Sequence, residues 1–317
     1  MKPVKTLPHS TRRAVLTLGI LVFVLVPFGS HAQRVQKAAD VLDGSGLVNY
    51  MTRPTFTVGS WVKYHTRGSS EQGFKDDYTV TILVGGEEVW WGEPCFWIET
   101  RTKKAGDRER VTASLVSYAA FGDTMAEKHL MWFIRKTING MKPDGTPDIG
   151  LYTRGKNEIQ LRRVNWEKDD NGPTSIDSLG AETVTVPAGT FDTRKVVRRY
   201  VNAETAELGD STTYYERRLD RTSYLTPKVP ITNLALVDVD DHQKGKTWMA
   251  GKFDKGPLNT LERARGRTEL IEMGSTGLTA LLVPADKRKP IDRKVIEATL
   301  AEYATGTPPL PKRPSNR

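Results

Sequence analysis

The feature that most constrains the fold of this chain is a succession of short segments in which apolar and polar residues alternate. In the clearest one, Tyr78, Val80, Ile82 and Val84 are separated by single residues, two of which are threonines. A period of two places every second side chain on the same side of an extended chain, as a half-buried β-strand requires. The pattern therefore predicts a strand over residues 78–84 with one apolar face.

Similar segments follow one another from Trp61 to Val283, separated by glycine, proline, asparagine and aspartate, and helical periodicity between them is weak. Gly85-Gly86 is interpreted as a turn, with residues 87–91 as the partner of strand 78–84. Residues 278–283 are interpreted as a late strand. Because a parallel sheet needs helices between its strands, the succession predicts a mainly β fold. We expect a curved antiparallel sheet or an open, incomplete β-barrel with a few short helices.

The first 32 residues have the layout of a secretory signal peptide. Four basic residues lie within positions 2–13, an apolar run covers residues 14–29, and Ser30-His31-Ala32 supplies a small-x-small pattern. We expect cleavage after Ala32 and a periplasmic or secreted protein. Two alternatives stay open: an uncleaved membrane anchor, and export by the twin-arginine route in place of the general secretory route, since Arg12 and Arg13 are adjacent.

The composition after the signal peptide predicts four further segments. The chain has 317 residues and is 38% hydrophobic, which suffices for a large β-domain with a packed core. The segments, in order, are a short N-terminal helical segment at 33–55, the β-domain at 56–284, a C-terminal helix at 285–305 and a disordered, proline-rich basic tail at 306–317.

The charge and the cysteine content argue against a nucleic-acid-binding protein and against a fold stabilised by disulfides. The formal net charge of +9 falls to +5 without the four basic residues of the signal peptide, which does not indicate a nucleic-acid partner. Cys95 is the single cysteine of the chain, so no intramolecular disulfide supports the fold. Its strand-like surroundings, Pro94-Cys95-Phe96-Trp97-Ile98, predict a buried, inert thiol.

Motifs that indicate catalysis are missing from the sequence. It contains neither a His-Glu-x-x-His arrangement nor a Gly-x-Ser-x-Gly nucleophile elbow. An enzyme is therefore not favoured, although a site assembled from distant residues would leave no local motif. No cofactor is expected. Asp238, Asp240 and His242 could hold a divalent cation or belong to a solvated loop, and the sequence leaves that choice open.

The adjacent tryptophans Trp90 and Trp91 suggest a different function. Neighbouring residues of a strand point to opposite faces, so one indole enters a core while the other packs on a second layer or meets solvent. An exposed indole on a sheet could stack on a sugar ring. This gives the alternative of a cell-envelope structural or carbohydrate-binding module.

One set of motifs resembles a known family. Residues 183–192 read Thr-Val-Thr-Val-Pro-Ala-Gly-Thr-Phe-Asp, residues 223–230 read Ser-Tyr-Leu-Thr-Pro-Lys-Val-Pro, and residues 268–274 read Thr-Glu-Leu-Ile-Glu-Met-Gly. In this order, and with Val58-Gly59-Ser60-Trp61 before them, they resemble exported bacterial lipoprotein carriers of the LolA/LolB type, and more closely the uncharacterised periplasmic proteins grouped near them. Pro187-Ala188-Gly189-Thr190 also predicts a tight hairpin, because glycine tolerates positive φ.

The resemblance implies a curved antiparallel sheet around a helical lid, with an apolar concave face that shelters acyl chains. The function expected on this basis is non-enzymatic binding of a hydrophobic or lipid-like ligand, as in lipid or lipoprotein carriage or envelope maintenance. A hydrolase with an unrecognised site is a further alternative. The expected partners are a lipid or acyl chain and an envelope membrane or lipoprotein. The candidate lining residues are Tyr78, Val80, Ile82, Phe96 and Ile98.

Overall fold

The structure is a computed structural model. It describes residues 48–49, 57–73, 75–90, 93–121, 133–141, 146–151, 174–208, 210–249 and 256–304. The predicted signal peptide, most of the predicted 33–55 segment, Trp91 and the predicted tail lie outside these residues.

Within the described residues, eleven strands form one antiparallel sheet. The strands are β1 Trp61–Ser70, β2 Lys75–Trp90, β3 Glu93–Lys104, β4 Arg110–Ser117, β5 Ile134–Met141, β6 Pro147–Leu151, β7 Ser175–Val186, β8 Gly189–Leu208, β9 Ser211–Leu225, β10 Leu234–Met249 and β11 Asn259–Gly274. In the same part of the chain, short 3-10 helices cover Tyr118–Ala120 and Ala285–Lys287, and an α-helix, α1, covers Arg293–Ala304.

The strand order is β6-β5-β4-β3-β2-β1-β11-β10-β9-β8-β7. It consists of two antiparallel meanders, β1–β6 and β7–β11, that meet where β1 pairs with β11. The two edge strands, β6 and β7, do not pair with each other, so the sheet is not closed. The predicted mainly β, antiparallel and open architecture is confirmed.

The register of the strands divides the side chains between two faces. Tyr64 pairs with Val80 and Thr66 pairs with Thr268, so these residues share one face, which we call the Tyr64 face. The alternate residues, including Trp97 on β3, form the opposite Trp97 face.

The Trp97 face of the first meander is covered by the chain after β11. The cluster there consists of buried residues from the sheet and from residues 275–292, which we call the C-terminal strap: Leu83, Cys95, Trp97, Ala113, Leu115, Ile138, Ala280, Leu282 and Val283. The strap has no regular strand, so the interpretation of residues 278–283 as a strand was wrong. The apolar side chains of the strap are buried against the face of the sheet. Packing of this kind does not require the strap to pair with a strand.

Buried carboxylates attach the strap to the sheet. Glu99 is 0% exposed, and its Oε2 accepts the backbone N–H groups of Leu281 and Leu282, both at 2.8 Å. Oε2 of Glu87 accepts the N–H of Ile291 at 2.8 Å. A buried charge is costly unless it is hydrogen-bonded, so these contacts specify one position of the strap on the sheet.

The interpretation of Gly85-Gly86 as a turn was also wrong, because β2 continues through both residues with an irregularity between Val84 and Gly86. A Cβ atom on Gly86 would lie 2.1 Å from the carbonyl oxygen of Lys287, and one on Gly85 would lie 2.6 Å from Cγ2 of Val283. The glycines therefore allow close approach of the strap to the sheet.

We expect Gly86→Ala to lower the free energy of unfolding by about 1–3 kcal/mol, because the new methyl group displaces the strap backbone. Thermal and urea unfolding would measure the change. The matched control is Gly266→Ala on β11, where the nearest described atom to a Cβ is 3.8 Å away. Equal unfolding midpoints for the two variants would contradict the close approach at Gly86.

The predicted hairpin joins β7 to β8. Val186 pairs with Gly189 across Pro187 and Ala188, and Gly189 has a φ of +138°. The backbone N–H of Ala188 donates to the carbonyl of Leu270 on β11 at 3.3 Å. The hairpin tip thus reaches across to the strand that joins the two meanders.

Gly189→Val should destabilise the protein by about 1–3 kcal/mol, because a β-branched residue is strained at this φ. Gly189→Ala should also be destabilising, but less so. Differential scanning calorimetry would compare both with Thr185→Val, which places valine on an exposed strand position of the same hairpin. A melting temperature of Gly189→Val equal to that of Thr185→Val would rule out backbone strain at this position.

Candidate functional site

The five predicted lining residues lie on the Tyr64 face. Tyr78, Val80 and Ile82 alternate along β2, and register places Phe96 and Ile98 of β3 on the same face through the pairs Glu87–Phe96 and Val84–Ile98. Tyr78 is half-buried and the other four are at most 1% exposed. The structure therefore places the five residues on one face, where they contact different neighbouring residues.

Phe96 belongs to an aromatic cluster at one end of this face. Its ring centroid lies 5.2 Å from that of Tyr118 in an edge-on arrangement and 5.1 Å from that of Phe121 in a stacked one. The hydroxyl of Tyr118 donates to Oε1 of Glu87 at 2.6 Å. Burial and this hydrogen bond raise the pKa of Tyr118. Helix α1 packs against β3 and the 3-10 helix at Tyr118–Ala120, so this end of the face is filled by side chains.

A strained loop lies against Tyr64 on the same face. The Tyr64 hydroxyl donates to the carbonyl of Leu234 at 2.7 Å, and its oxygen lies 2.5 Å from the hydroxyl of Thr232. The N–H of Thr232 donates to the carbonyl of Pro230 at 2.7 Å, with a φ of +68° at Ile231 between them. This is a γ-turn of the rare positive-φ type, costly for a β-branched residue, and the contacts of Tyr64 help to hold it.

At the centre of the Tyr64 face, two neighbouring strands carry glycine and therefore no side chain. Gly68 on β1 pairs directly with Gly266 on β11. We call these two residues the glycine floor. Among the described residues, the nearest atoms to a Cβ on Gly266 would be the carbonyl oxygen of Arg67 and Cβ of Val239, at 3.8 and 3.9 Å. Both belong to the sheet itself, so no other described element packs on Gly266.

Arginines lie on the same face beyond the glycine floor. The row that contains Gly68 and Gly266 continues through Val239 to Arg221 on β9 and Arg198 on β8, which are direct cross-strand partners. The sequence analysis missed these arginines as site residues. A signal was present, since the predicted strand 193–201 contains the adjacent basic pairs Arg194-Lys195 and Arg198-Arg199, but the face that each residue occupies depends on register.

Arg217 lies further along β9 on the same face and is bound by Asp241. Its Nε donates to Oδ1 and Oδ2 of Asp241 at 2.9 and 3.1 Å, and its Nη2 donates to Oδ2 at 2.5 Å. Burial opposes the charge of Arg217, but the hydrogen bonds and the charge of Asp241 outweigh it and raise the pKa of Arg217. This buried pair is structural.

Asp238, Asp240 and His242 alternate on the Trp97 face of β10. Nη1 of Arg267 lies 3.5 Å from Oδ1 of Asp238, and Nη2 of Arg263 donates to Oδ2 of Asp240 at 2.7 Å. The hydrogen bond from Arg263 lowers the pKa of Asp240, while burial raises the pKa of Asp238. The two carboxylates thus have arginine partners. Among the described residues no group of three or more His, Cys, Asp or Glu side chains is arranged to hold a metal ion.

Cys95 is 0% exposed on the Trp97 face, as the sequence predicts. Its thiol donates to the carbonyl of Glu93 at 3.6 Å. Burial, and then the nearby charge of Glu93, raise the pKa of the Cys95 thiol.

Glu93 is a buried carboxylate with hydrogen-bond donors on both oxygens. Its Oε2 accepts a hydrogen bond from Nε of Arg135 at 2.8 Å, and its Oε1 accepts one from the hydroxyl of Ser117. The sequence analysis missed this buried carboxylate and the related Glu87, Glu88 and Glu99, because flanking apolar residues do not show whether a glutamate between them is buried.

Cys95 should not react with the thiol reagent 5,5′-dithiobis(2-nitrobenzoate) in the folded protein at pH 8, because the thiolate is disfavoured and inaccessible. In urea it should react fully. The comparison is Ser69→Cys, which places a thiol on an exposed position of β1 and leaves Cys95 in place. One equivalent of rapid labelling in the folded variant and none in the wild type is expected. Rapid labelling of the folded wild type would show that Cys95 is accessible.

None of the helices in the described part of the chain combines the length and apolar character needed to cross a bilayer. No family model matches the sequence, and no curated protein matches it.

Two solved structures are similar to this chain. One is a provisionally assigned lipoprotein from Parabacteroides distasonis ATCC 8503, with 13% identity, a TM-score of 0.27 and coverage of 72% of this chain and 99% of that chain. The other is a provisionally assigned exported protein with a YmcC-like fold from Bacteroides fragilis NCTC 9343, with 11% identity, a TM-score of 0.26 and coverage of 71% and 100%. Neither is described as a carrier of the LolA/LolB type, so that part of the resemblance stays a prediction.

Proposed function

We propose that this chain is an exported, non-enzymatic protein that binds a hydrophobic or lipid-like ligand on the Tyr64 face. Export is supported by the basic start, the apolar run and the Ser30-His31-Ala32 pattern. Ligand binding is supported by the arrangement of side chains around the glycine floor.

The pairing of Gly68 with Gly266 is the observation that carries the proposal. Glycine inside a strand weakens it, through the entropy lost on folding and the missing side chain. Neither residue has positive φ, so backbone conformation does not require glycine at either position. If this part of the face were only core, larger apolar residues would stabilise it by about 0.8 kcal/mol for each buried methylene group. Two directly paired glycines are explained by the close approach of another group to the sheet.

On the β2 side the glycine floor is bordered by Asp76, the direct cross-strand partner of Gly68, whose Oδ1 accepts a hydrogen bond from Nζ of Lys104 at 3.1 Å. Small and apolar side chains follow beyond it. Along β1 the next residue of the face is Thr66, which is 5% exposed, and along β2 Tyr78 and Val80 follow. We propose that the ligand lies over the glycine floor and extends toward Tyr78, Val80 and Ile82. Phe96 and Ile98 then form the end wall, because Tyr118 and Phe121 already pack on Phe96.

The carbohydrate-binding alternative has less support in the described residues. Trp97 is buried, and its Nε1 donates to Oε2 of Glu88 at 3.0 Å. Nε1 of Trp61 donates to the carbonyl of Thr276 at 2.9 Å. Trp90 packs against the core cluster, and Nζ of Lys136 lies 5.0 Å from its ring centroid. These three indoles are therefore used in packing the strap side of the sheet.

An uncharged fluorescent probe, N-phenyl-1-naphthylamine, would test the proposal on the mature chain that begins at Gln33. We expect saturable fluorescence enhancement for the wild type. Gly266→Leu should lower the affinity at least tenfold, because leucine occupies the space over the glycine floor. The matched control is Arg265→Leu, which adds the same side chain at the neighbouring position on the opposite, exposed face and should leave the affinity unchanged.

Two results would overturn the proposal: absence of probe binding by the folded wild type, or equal affinities of Gly266→Leu and the wild type. If Gly266→Leu does not fold, Gly266→Ala and Tyr78→Ala replace it, with a change in affinity expected for both. Organic extraction and mass spectrometry of the purified protein would identify a co-purifying acyl chain.

A further inference from the structure

Hydroxyl groups border the glycine floor on the Tyr64 face. Along β1, Gly68 lies between Thr66 and Ser70, and the period of two places these three residues on the same face. Thr66 pairs with Thr268 of β11. In the same row, Thr268 is separated from Ser223 of β9 by β10 alone. Four hydroxyl-bearing side chains therefore surround a part of the face that carries no side chain at its centre.

Three of the hydroxyl protons have no acceptor in the described part of the chain. Oγ of Ser70 and Oγ of Ser223 are buried and have no hydrogen-bond partner there, and Ser223 as a whole is 1% exposed. The hydroxyl oxygens of Thr66 and Thr268 lie 3.0 Å apart, within one hydrogen bond. Because that bond uses only one of the two threonine protons, the other also lacks an acceptor. Unsatisfied buried hydroxyls are costly, so their grouping around one area points to a bound polar group.

The area between the hydroxyls is open enough to hold such a group. Ala264 of β11 and Val239 of β10 continue the surface of the glycine floor beyond Gly266, and like both glycines they are partly exposed. On the β2 side lies the carboxylate of Asp76, the cross-strand partner of Gly68. A carboxylate accepts several hydrogen bonds, so the border contains an acceptor as well as donors.

The geometry of the strands gives the size of the group. Thr66 and Ser70 are four residues apart, or about 13 Å along β1, and two strand spacings of about 10 Å separate Thr268 from Ser223. Hydrogen bonds of about 2.8 Å at each end leave about 7 Å and about 4 Å between the oxygens of the bound group. One sugar ring with its hydroxyl groups has these dimensions.

We propose that the ligand of the Tyr64 face is an uncharged glycolipid whose sugar head lies on the glycine floor. This inference rests on the proposed function and adds the chemistry of the head group. The sugar oxygens accept the protons of Ser70, of Ser223 and of the Thr66–Thr268 pair, while the apolar chain extends toward Val80. A sugar suits this border because each of its hydroxyl groups both donates and accepts a hydrogen bond. Such recognition does not depend on stacking against an indole.

Displacement of N-phenyl-1-naphthylamine from the mature chain would test the head group. The competitors are octyl β-D-glucopyranoside and tetraethylene glycol monooctyl ether, which share the same apolar chain and are used below their critical micelle concentrations. For the wild type we expect the glucoside to displace the probe at a concentration at least tenfold lower than the ether. Ser70→Ala, Ser223→Ala and Thr268→Val should each reduce this preference at least threefold, because each removes a bond to a sugar oxygen. The affinity for the ether should stay within twofold.

The matched controls remove hydroxyls of the same kind elsewhere. Ser69→Ala changes the neighbouring residue on the opposite, exposed face of β1. Thr185→Val breaks an exposed pair of threonine hydroxyls, in which Oγ1 of Thr185 lies 3.0 Å from Oγ1 of Thr190. Both variants should keep the full preference for the glucoside. Thr268→Ser retains a hydroxyl and should keep at least half of the preference.

Thermal unfolding of the ligand-free protein separates recognition from a structural role. Ser223→Ala removes a hydroxyl that has no partner, so its melting temperature should not fall below that of the wild type. Serine variants that lose thermal stability but keep the preference would overturn the inference, because the hydroxyls would then be satisfied within the protein or by ordered water.

The remaining outcomes distinguish this inference from the proposed function. Equal displacement by the glucoside and the ether would leave the hydrophobic site intact and overturn the sugar head. Methyl β-D-glucopyranoside should compete at least a hundredfold more weakly than the octyl glucoside, and equal competition would overturn the glycolipid in favour of a plain carbohydrate site. Absence of probe binding by the folded wild type would overturn the proposed function itself.

Discussion

The pairing of β1 with β11 is the interaction on which the rest of the structure depends. Each meander can form from neighbouring strands. Among the described residues the β1–β11 ladder is the strand pairing that unites them, and it joins residues such as Thr66 and Thr268 that are 202 positions apart. The entropy of closing so long a loop must be offset by the contacts that follow. Those contacts are substantial, because the same ladder brings Gly68 opposite Gly266 and continues the Tyr64 face of the first meander into the arginine row of the second.

The two faces of the sheet are stabilised in different ways. On the Trp97 face the first meander is covered by the C-terminal strap, whose backbone N–H groups are bound by the carboxylates of Glu87 and Glu99. The second meander bears cross-strand arginine and aspartate pairs on that face, including Arg263 with Asp240. The Tyr64 face instead changes along its length from buried aromatic and aliphatic side chains to glycine and then to arginine.

Local sequence patterns were sufficient to predict that the fold consists mainly of strands. They were misleading about where some of those strands begin and end. The alternation at Tyr78, Val80 and Ile82 correctly places them on one face of β2, and Gly189 has the positive φ that its hairpin requires. Gly85-Gly86 carries the same local signal as a turn, yet the two glycines lie within a strand because Val283 and Lys287 pass within van der Waals distance of them. A glycine needed for close approach and a glycine needed for a turn are identical in sequence; only the distant partner distinguishes them.

The features of the candidate site also fall into those that the sequence predicts and those that depend on contacts between distant strands. The sequence by itself determined the alternation that makes each strand two-faced, the burial expected for Cys95 and the apolar set from Tyr78 to Ile98, because these follow from residue type and a period of two. Only the tertiary structure decided that Phe96 packs under Tyr118 and Phe121, that Gly68 meets Gly266, and that Arg198 stands opposite Arg221 on the same face. These three facts depend on register between strands and on long-range pairing. The free energy that sets register is spread over contacts between residues far apart in the chain, so no local segment of the sequence contains it.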